Sequence, residues 1–274
     1  MTNTAVIGLG EAGGLYARGL RDAGYTVSGF DPFTRLDEAG IRQEQDLAAA
    51  VADADLVVSL VGARAAEGVA REALGAMRAG AVFADLNTGS PELKRRLEEA
   101  GGTHGVLVAD VAVLAPVPRA GVRTPLMVSG SGAARFTELF AGSAAPVESI
   151  GGAAGDAAAR KLVRSVFMKG LAAVILESVG AAEAAGCEQW LRDQIADEFS
   201  GDAPALVQRL IDGSRQHAGR RAHEVEDARD YLETLGRPSW VTAASRRWFG
   251  LLLGEDAATA PAEHTDQADQ GVRA

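Results

Sequence analysis

One cysteine, Cys187, stands in a chain of 274 residues, which excludes an internal disulfide framework and leaves no cysteine pair for a metal. Basic charge is also in deficit. The formal net charge is −10 and the isoelectric point is near 5.0, so no cationic face is available to release counterions from a nucleic acid. No apolar run reaches the ~18 residues that a bilayer span requires; the stretch from Leu171 to Leu176 stops at Glu177. The first apolar run begins within a few residues of Met1, so no secretory signal is expected ahead of it and the expected compartment is the cytoplasm. No repeat of solenoid period is visible. His217 and His223 have no partners at metal-ligand spacing, and no zinc site is expected. What is left is the profile of a soluble enzyme acting on a small molecule, without nucleic-acid or membrane partners. A hydrophobic content of 47% is enough for real cores, and at this length a second domain becomes expected.

The first thirty-one residues are the most informative. Ala5-Val6-Ile7 feeds into Gly8-Leu9-Gly10-Glu11-Ala12-Gly13, which opens a helical pattern through Leu15, Leu20 and Arg21. Gly24 closes that helix, and Tyr25 to Phe30 reads as a second strand ending at Asp31. A G-x-G-x-x-G alone is weak evidence. Here it sits inside a strand–turn–helix–strand unit with an acidic residue closing the second strand, the context that identifies dinucleotide binding. Gly8 permits the turn, Gly10 lets the backbone approach a pyrophosphate, and Gly13 lets the helix pack on the strand. The pyrophosphate charge would meet the free N–H groups of the helix start.

Strands and helices then alternate. Asp46 to Val51, Ala65 to Met77, a segment from Ser90-Pro91 to about Ala100, and Ala133 to Phe140 read as helices. Ala54 to Val61, Ala81 to Asp85, Gly105 to Asp110 and Leu126 to Gly130 read as strands. Ser90 as N-cap with Pro91 at the first helical position is a strong start signal. The alternation predicts a parallel sheet covered on both faces. From Asp156 to Ala185 runs a long helix, apolar almost all round at Leu162, Val166, Phe167, Leu171, Val174, Ile175 and Val179, and such a helix is expected to be buried. Gly186 ends it. Further helices without strands follow to about Leu253, and 254–274 is expected to be a disordered acidic tail. The expected plan is an α/β Rossmann domain over 1–151, an all-α substrate and dimerisation domain over 152–253, and the tail.

The segment from Gly152 to Ser165 carries the second chemical signal. Glycines give way to a helix on which Lys161, Arg164, Ser165 and Met168 share one face. An amine beside a substrate hydroxyl can take its proton as hydride leaves, provided burial lowers its pKa toward the working pH. By residue type alone, Lys161 and Arg164 would read as a solvated stripe. Their position, directly after a dinucleotide domain and opening an apolar helix, favours the chemical role.

These residues resemble those of the β-hydroxyacid dehydrogenases, the group containing 3-hydroxyisobutyrate, tartronate semialdehyde and phosphogluconate dehydrogenases. The resemblance covers residues 1 to about 253. The glycine fingerprint matches. Ala109 to Pro116, followed by Thr124 to Gly130, looks like the family's D-A-P-V-S-G-G substrate loop and returning strand. Gly152 to Ser165 resembles the glycine-rich segment leading to the catalytic lysine, which places that lysine at Lys161. His223-Glu224, with Gly236 and Pro238 downstream, falls where the family has a Lys-Asp pair. The resemblance implies an NAD(P)-dependent oxidoreductase acting on a β-hydroxy acid or related alcohol, with Lys161 as proton relay, and a homodimer. It places Leu114, Arg164, Ser165 and Met168 toward substrate. It places Gly8, Leu9, Gly10, Glu11, Ala12, Gly13, Asp31, Val61, Thr88 and His223 toward cofactor. Thr88 also reads as a turn residue before the next helix.

Several positions depart from the family's pattern. Arg164 and Ser165 stand where asparagines usually hold the substrate hydroxyl, Leu114 replaces the substrate-loop serine, Pro116 replaces a loop glycine, and His223 replaces a cofactor-side lysine. Arg164 is suited either to clamp a carboxylate or phosphate or to pair with a neighbouring acid. Leu114 implies a less polar pocket wall than a small hydroxy acid would require. A carboxylate at Asp31 favours NAD by accepting its ribose hydroxyls and repelling a 2′-phosphate, while Arg35 leaves NADP open. No acid for a decarboxylation step can be picked out. Two rivals remain: an imine or ketimine reductase on the same scaffold, which generally lacks the lysine, and a non-catalytic NAD-binding sensor, which has no need of it.

Overall fold

The computed structural model describes residues 1–255; the tail expected over 254–274 lies, but for Gly254 and Glu255, outside the described residues. The chain divides into two compact units, residues 1–165 and residues from 166 onward.

In the first unit β1 (Asn3–Ile7), α1 (Glu11–Asp22), β2 (Thr26–Phe30), β3 (Ile41–Gln43), α2 (Leu47–Val51), β4 (Leu56–Ser59), α3 (Ala66–Ala76), β5 (Val82–Asp85), α4 (Pro91–Thr103), β6 (Leu107–Val113), β7 (Leu126–Ser129), α5 (Ala133–Phe140) and β8 (Val147–Ser149) follow in order. They form one eight-stranded sheet in the order β3-β2-β1-β4-β5-β6-β7-β8. The α/β class is as expected. Six strands run parallel, but β7 pairs antiparallel with β6, and β8 then runs parallel to β7. The sheet is therefore mixed, unlike the all-parallel sheet that alternation implied. The cause is the connection after β6, which returns through two short 3-10 turns, Val117–Arg119 and Gly121–Arg123, instead of a crossover helix. The three-residue edge strands β3 and β8 give too short an apolar signal to be read from sequence.

Alternate side chains feed two cores. Val6, Val58, Val82 and Ala84 point to one face with Tyr16, Leu20, Phe136 and Phe140; Ala5, Ile7, Val57 and Phe83 point to the other with Leu47, Leu74 and Leu97. This period of two with both faces buried is what a helix-covered sheet demands. Asp46 Oδ1 accepts from Ala49 N at 2.7 Å and Ser90 Oγ from Leu93 N at 3.2 Å, so both helix starts are capped.

A 29-residue helix, α6 (Asp156–Ala184), leads from the first unit into the second. There α7 (Glu188–Phe199), α8 (Ala203–Gln216), α9 (Ala218–Thr234) and α10 (Trp240–Leu252) follow. Glu177 of α6 accepts from Val241 N and Thr242 N, both at 2.8 Å, and so caps α10. The all-helical expectation holds for the described residues. The expected burial of α6 does not: Leu162, Val166, Phe167 and Val174 are exposed, Val166 at 76%, because no element among the described residues covers those side chains. α7 and α8 bury no residue at all. Among the described residues no helix is long and apolar enough to cross a membrane.

Candidate active site

β1 is central, and the chain leaves it toward β2 on one side and β4 on the other. The carboxyl ends of β1 and β4 flank this switch point, where open α/β sheets bind their ligands. Gly8 follows β1 with φ +84°, and a Cβ there would stand 2.5 Å from the Leu60 carbonyl oxygen. A Cβ on Gly13 would meet the Gly8 carbonyl oxygen at 1.7 Å. Both glycines are therefore demanded by the turn itself. Gly10 differs: no atom lies within 4 Å of where its Cβ would be, so its bareness serves the open space beside the turn. Gly10 also caps α1 without a side-chain hydrogen bond, leaving first-turn N–H groups for a ligand. A dinucleotide phosphate fits that combination of open space and free donors.

Leu9 is buried, Ala12 and Val61 partly so, and Glu11 is exposed in the first turn of α1. Asp31 is more committed than sequence reasoning allowed. Its Oδ2 accepts from Leu9 N at 2.7 Å, and its Oδ1 accepts from Phe33 N at 2.8 Å and Thr34 N at 3.0 Å. The carboxylate thus ties the glycine turn to the segment after β2. Of its roughly four acceptor positions, one remains on Oδ2 for a ribose hydroxyl.

On the far side of β4 lies a buried polar set that sequence reasoning missed. Lys94 of α4 is 2% exposed. Its Nζ stands 2.9 Å from Asp85 Oδ2 and 3.2 Å from Asp110 Oδ1, and donates to the carbonyl oxygens of Asp85 at 3.0 Å and Asn87 at 2.8 Å. Asn87 Nδ2 donates to Asp85 Oδ1 at 2.6 Å and to Ser59 Oγ at 3.0 Å, while Gly62 N donates to Asn87 Oδ1 at 2.8 Å. Asp110 Oδ2 accepts from Gly155 N at 3.0 Å and Ala158 N at 2.9 Å. Ser129 Oγ accepts from Ala157 N at 3.0 Å. A carboxylate on β6 and a hydroxyl on β7 thus take up the free donors at the start of α6. Gly155 has φ +105°, and a Cβ there would press on the Pro91 carbonyl oxygen at 2.6 Å, so the starts of α4 and α6 touch through a glycine.

Lys161 sits in the second turn of α6, in a small cleft lined also by Asn87, Thr88, Gly89, Asp110 and Ala158. Burial pushes its ammonium below the ordinary lysine range; Lys94 pushes the same way, and Asp110 and Asp85 pull back. The structure brings Thr88 and Lys161 together in this cleft. Arg164 is exposed, Ser165 partly buried, and neither lines that cleft. Met168 lies a turn further along α6 and is exposed. Leu114 is partly buried, its N–H bonded to the Pro125 carbonyl at 3.0 Å. His223 is on the exposed side of α9, in the second unit.

Residues 3–151 match the family described as the NAD binding domain of 6-phosphogluconate dehydrogenase, and residues 182–252 match a domain of unknown function. A probable 3-hydroxyisobutyrate dehydrogenase of Mycobacterium tuberculosis is 32% identical over 138 residues, 47% of this chain and 46% of that protein. The chain thus spans about half of that relative's length. A conserved hypothetical protein from Sinorhizobium meliloti is 28% identical, with TM-score 0.60 over 100% of this chain and 92% of that one. An imine reductase from Aspergillus terreus has TM-score 0.79 over 93% and 94% at 19% identity, a likeness of fold.

Proposed function

Because the chain belongs to the NAD-binding family of 6-phosphogluconate dehydrogenase, whose members are NAD(P)-dependent oxidoreductases, we propose that it transfers hydride between a nicotinamide and a β-hydroxy acid or related alcohol. The observation that carries this reading is Lys161, an amine pushed toward neutrality in the same cleft as Thr88 and Asp110. The bound nicotinamide supplies the hydride acceptor or donor. Lys161 Nζ takes the hydroxyl proton in the oxidation direction and returns it in reduction. The turn at Gly8, Gly10 and Gly13 holds the pyrophosphate, and Asp31, through its remaining acceptor position, favours NAD over NADP by repelling a 2′-phosphate. Arg164, Ser165, Met168 and Leu114 belong to the substrate side, and His223 to the cofactor side.

Imine reductases on this scaffold generally lack the lysine, and a sensor would need neither the amine nor the cleft. Lys161 therefore supports the dehydrogenase reading over both. The uncovered apolar residues of α6 fit a homodimer in which a second copy covers them; a monomer by light scattering across working concentrations would remove that part.

The test is absorbance-monitored cofactor reduction with NAD and NADP across small and aromatic β-hydroxy acids, beside Lys161→Ala. Loss of ~10²–10⁴-fold in kcat with cofactor binding intact is expected. Near-normal turnover in the variant would sink the assignment.

A further inference from the structure

The chain has 27 lysines and arginines, and only three of them are lysine: Lys94, Lys161 and Lys169. Two of those three sit together at the candidate site. A nearly inaccessible ammonium is costly unless charge partners and hydrogen bonds surround it. An apolar residue would fill the same place in α4 more cheaply, so the identity at 94 calls for a reason beyond packing.

We propose that Lys94 is a positioning residue for Lys161: the buried cation that fixes Asp110, and through Asp110's grip on Gly155 N and Ala158 N sets the start of α6 and the charge field in which Lys161 exchanges its proton. The proposal rests on the oxidoreductase reading for its kinetic consequence but not for its physical one. Lys94 Nζ has three protons and four oxygens around it, two carbonyl and two carboxylate. It therefore holds the end of β5, the segment to Asn87 and the middle of β6 at one point. Asp110 uses Oδ1 toward Lys94 and Oδ2 toward α6. The hydrogen-bonded path from Lys94 Nζ to the helix of Lys161 thus runs through the Asp110 carboxylate, beside the backbone contact of Gly155 with Pro91.

Electrostatics follow the same path. The charged groups that bear on Lys161 are Lys94 on α4, Asp110 on β6 and Asp85 on β5, while Arg160 and Arg164 on its own helix are exposed. With Lys94 present, the two carboxylates and one ammonium carry a net charge of one negative unit. Without it they carry two, and the charged form of Lys161 gains. A base that holds its proton more tightly becomes available only at higher pH.

The experiment uses the full chain labelled with 13Cε-lysine, whose three side-chain resonances are assigned by Lys169→Arg and Lys161→Arg. In Lys94→Met the Lys161 titration midpoint is expected at higher pH than in the wild type, and the acid limb of kcat/KM for oxidation moves with it. Lys94→Gln, which can still donate to the carbonyls of Asp85 and Asn87, gives the same reading if Met at this position does not fold. Lys94→Arg, which keeps the charge, returns the midpoint toward the wild type. A folded Met or Gln variant with lowered activity but an unmoved Lys161 midpoint overturns the proposal and leaves Lys94 as a structural ion. The resonance reports coupling whether or not Lys161 serves turnover, so loss of the oxidoreductase reading and loss of this one are told apart.

Discussion

Phe83, in the middle of β5, is 0% exposed among Leu74, Leu97 and Val108; Phe167, in the middle of α6, is 60% exposed. Similar contrasts recur throughout the two compact units. The first closes its apolar surface on itself, layer by layer, around a sheet. The second shows Val166, Phe167, Leu176, Trp190, Trp240 and Trp248 to solvent. The lesson is that hydrophobic patterning states that a face is to be covered, without saying by what. In the first unit most of the cover is local in sequence, with a helix following β1, β3, β4, β5 and β7. In the second, no element among the described residues supplies the cover.

The contrast is testable at both phenylalanines. Phe83→Ala is expected to cost ~3–5 kcal/mol by denaturant unfolding, as cavity-forming changes in closed cores do. Phe167→Asp should instead leave the first unit's unfolding and its nucleotide affinity in place while weakening self-association by ~2 kcal/mol, about 30-fold, by sedimentation. Equal costs in unfolding at the two positions would erase the distinction.

Within the first unit the glycine turn offers a finer division between residues the fold needs and residues a ligand needs. Gly13→Ala drives a Cβ into the Gly8 carbonyl and should lower both the melting temperature and NAD affinity. Gly10→Ala meets open space and should lower affinity ~10-fold, about 1.4 kcal/mol, at unchanged melting temperature. An unaltered affinity in Gly10→Ala would place the ligand elsewhere.

The smallest expected effect concerns Lys161 and pH. Its folded-state pKa lies below the ordinary 10.5, so between the two values the unfolded chain binds more protons and stability rises with pH. The cost of charging the partly buried amine is complete below the folded value and gone above the unfolded one. Lys161→Met should therefore raise the melting temperature at neutral pH while abolishing turnover, and the gain should fade toward pH 11. A variant less stable than wild type at pH 7 would argue against a strained amine.

Much of the first unit was legible because its signals are local. The glycine spacing, the Asp31 terminus, Ser90 before Pro91 and the strand–helix alternation each fall within a few residues of one another. So does the run that places Lys161 on a helix start. Lys94 was not legible, since a lysine between Leu93 and Arg95 on an amphipathic helix reads as solvated, and its partners lie on two other strands. The reversal of β7 escaped because a strand's direction is set by its connection rather than by its own residues. Asp31 was legible as an acid at a strand end, but not as one already engaged by three backbone N–H groups.

The two ends of the candidate site are tied by contacts of very different span. Asp31 meets Leu9 across 22 residues, whereas Asp110 meets Gly155 and Ala158 across 45 and 48. Closing the longer loops costs more chain entropy and comes later on average. The Asp31 tie thus lies within one strand–helix–strand unit, whereas the start of α6 is held where β6 and β7 have already met. The candidate cofactor turn leans on nearby chain, and the placing of Lys161 on chain gathered from across the sheet.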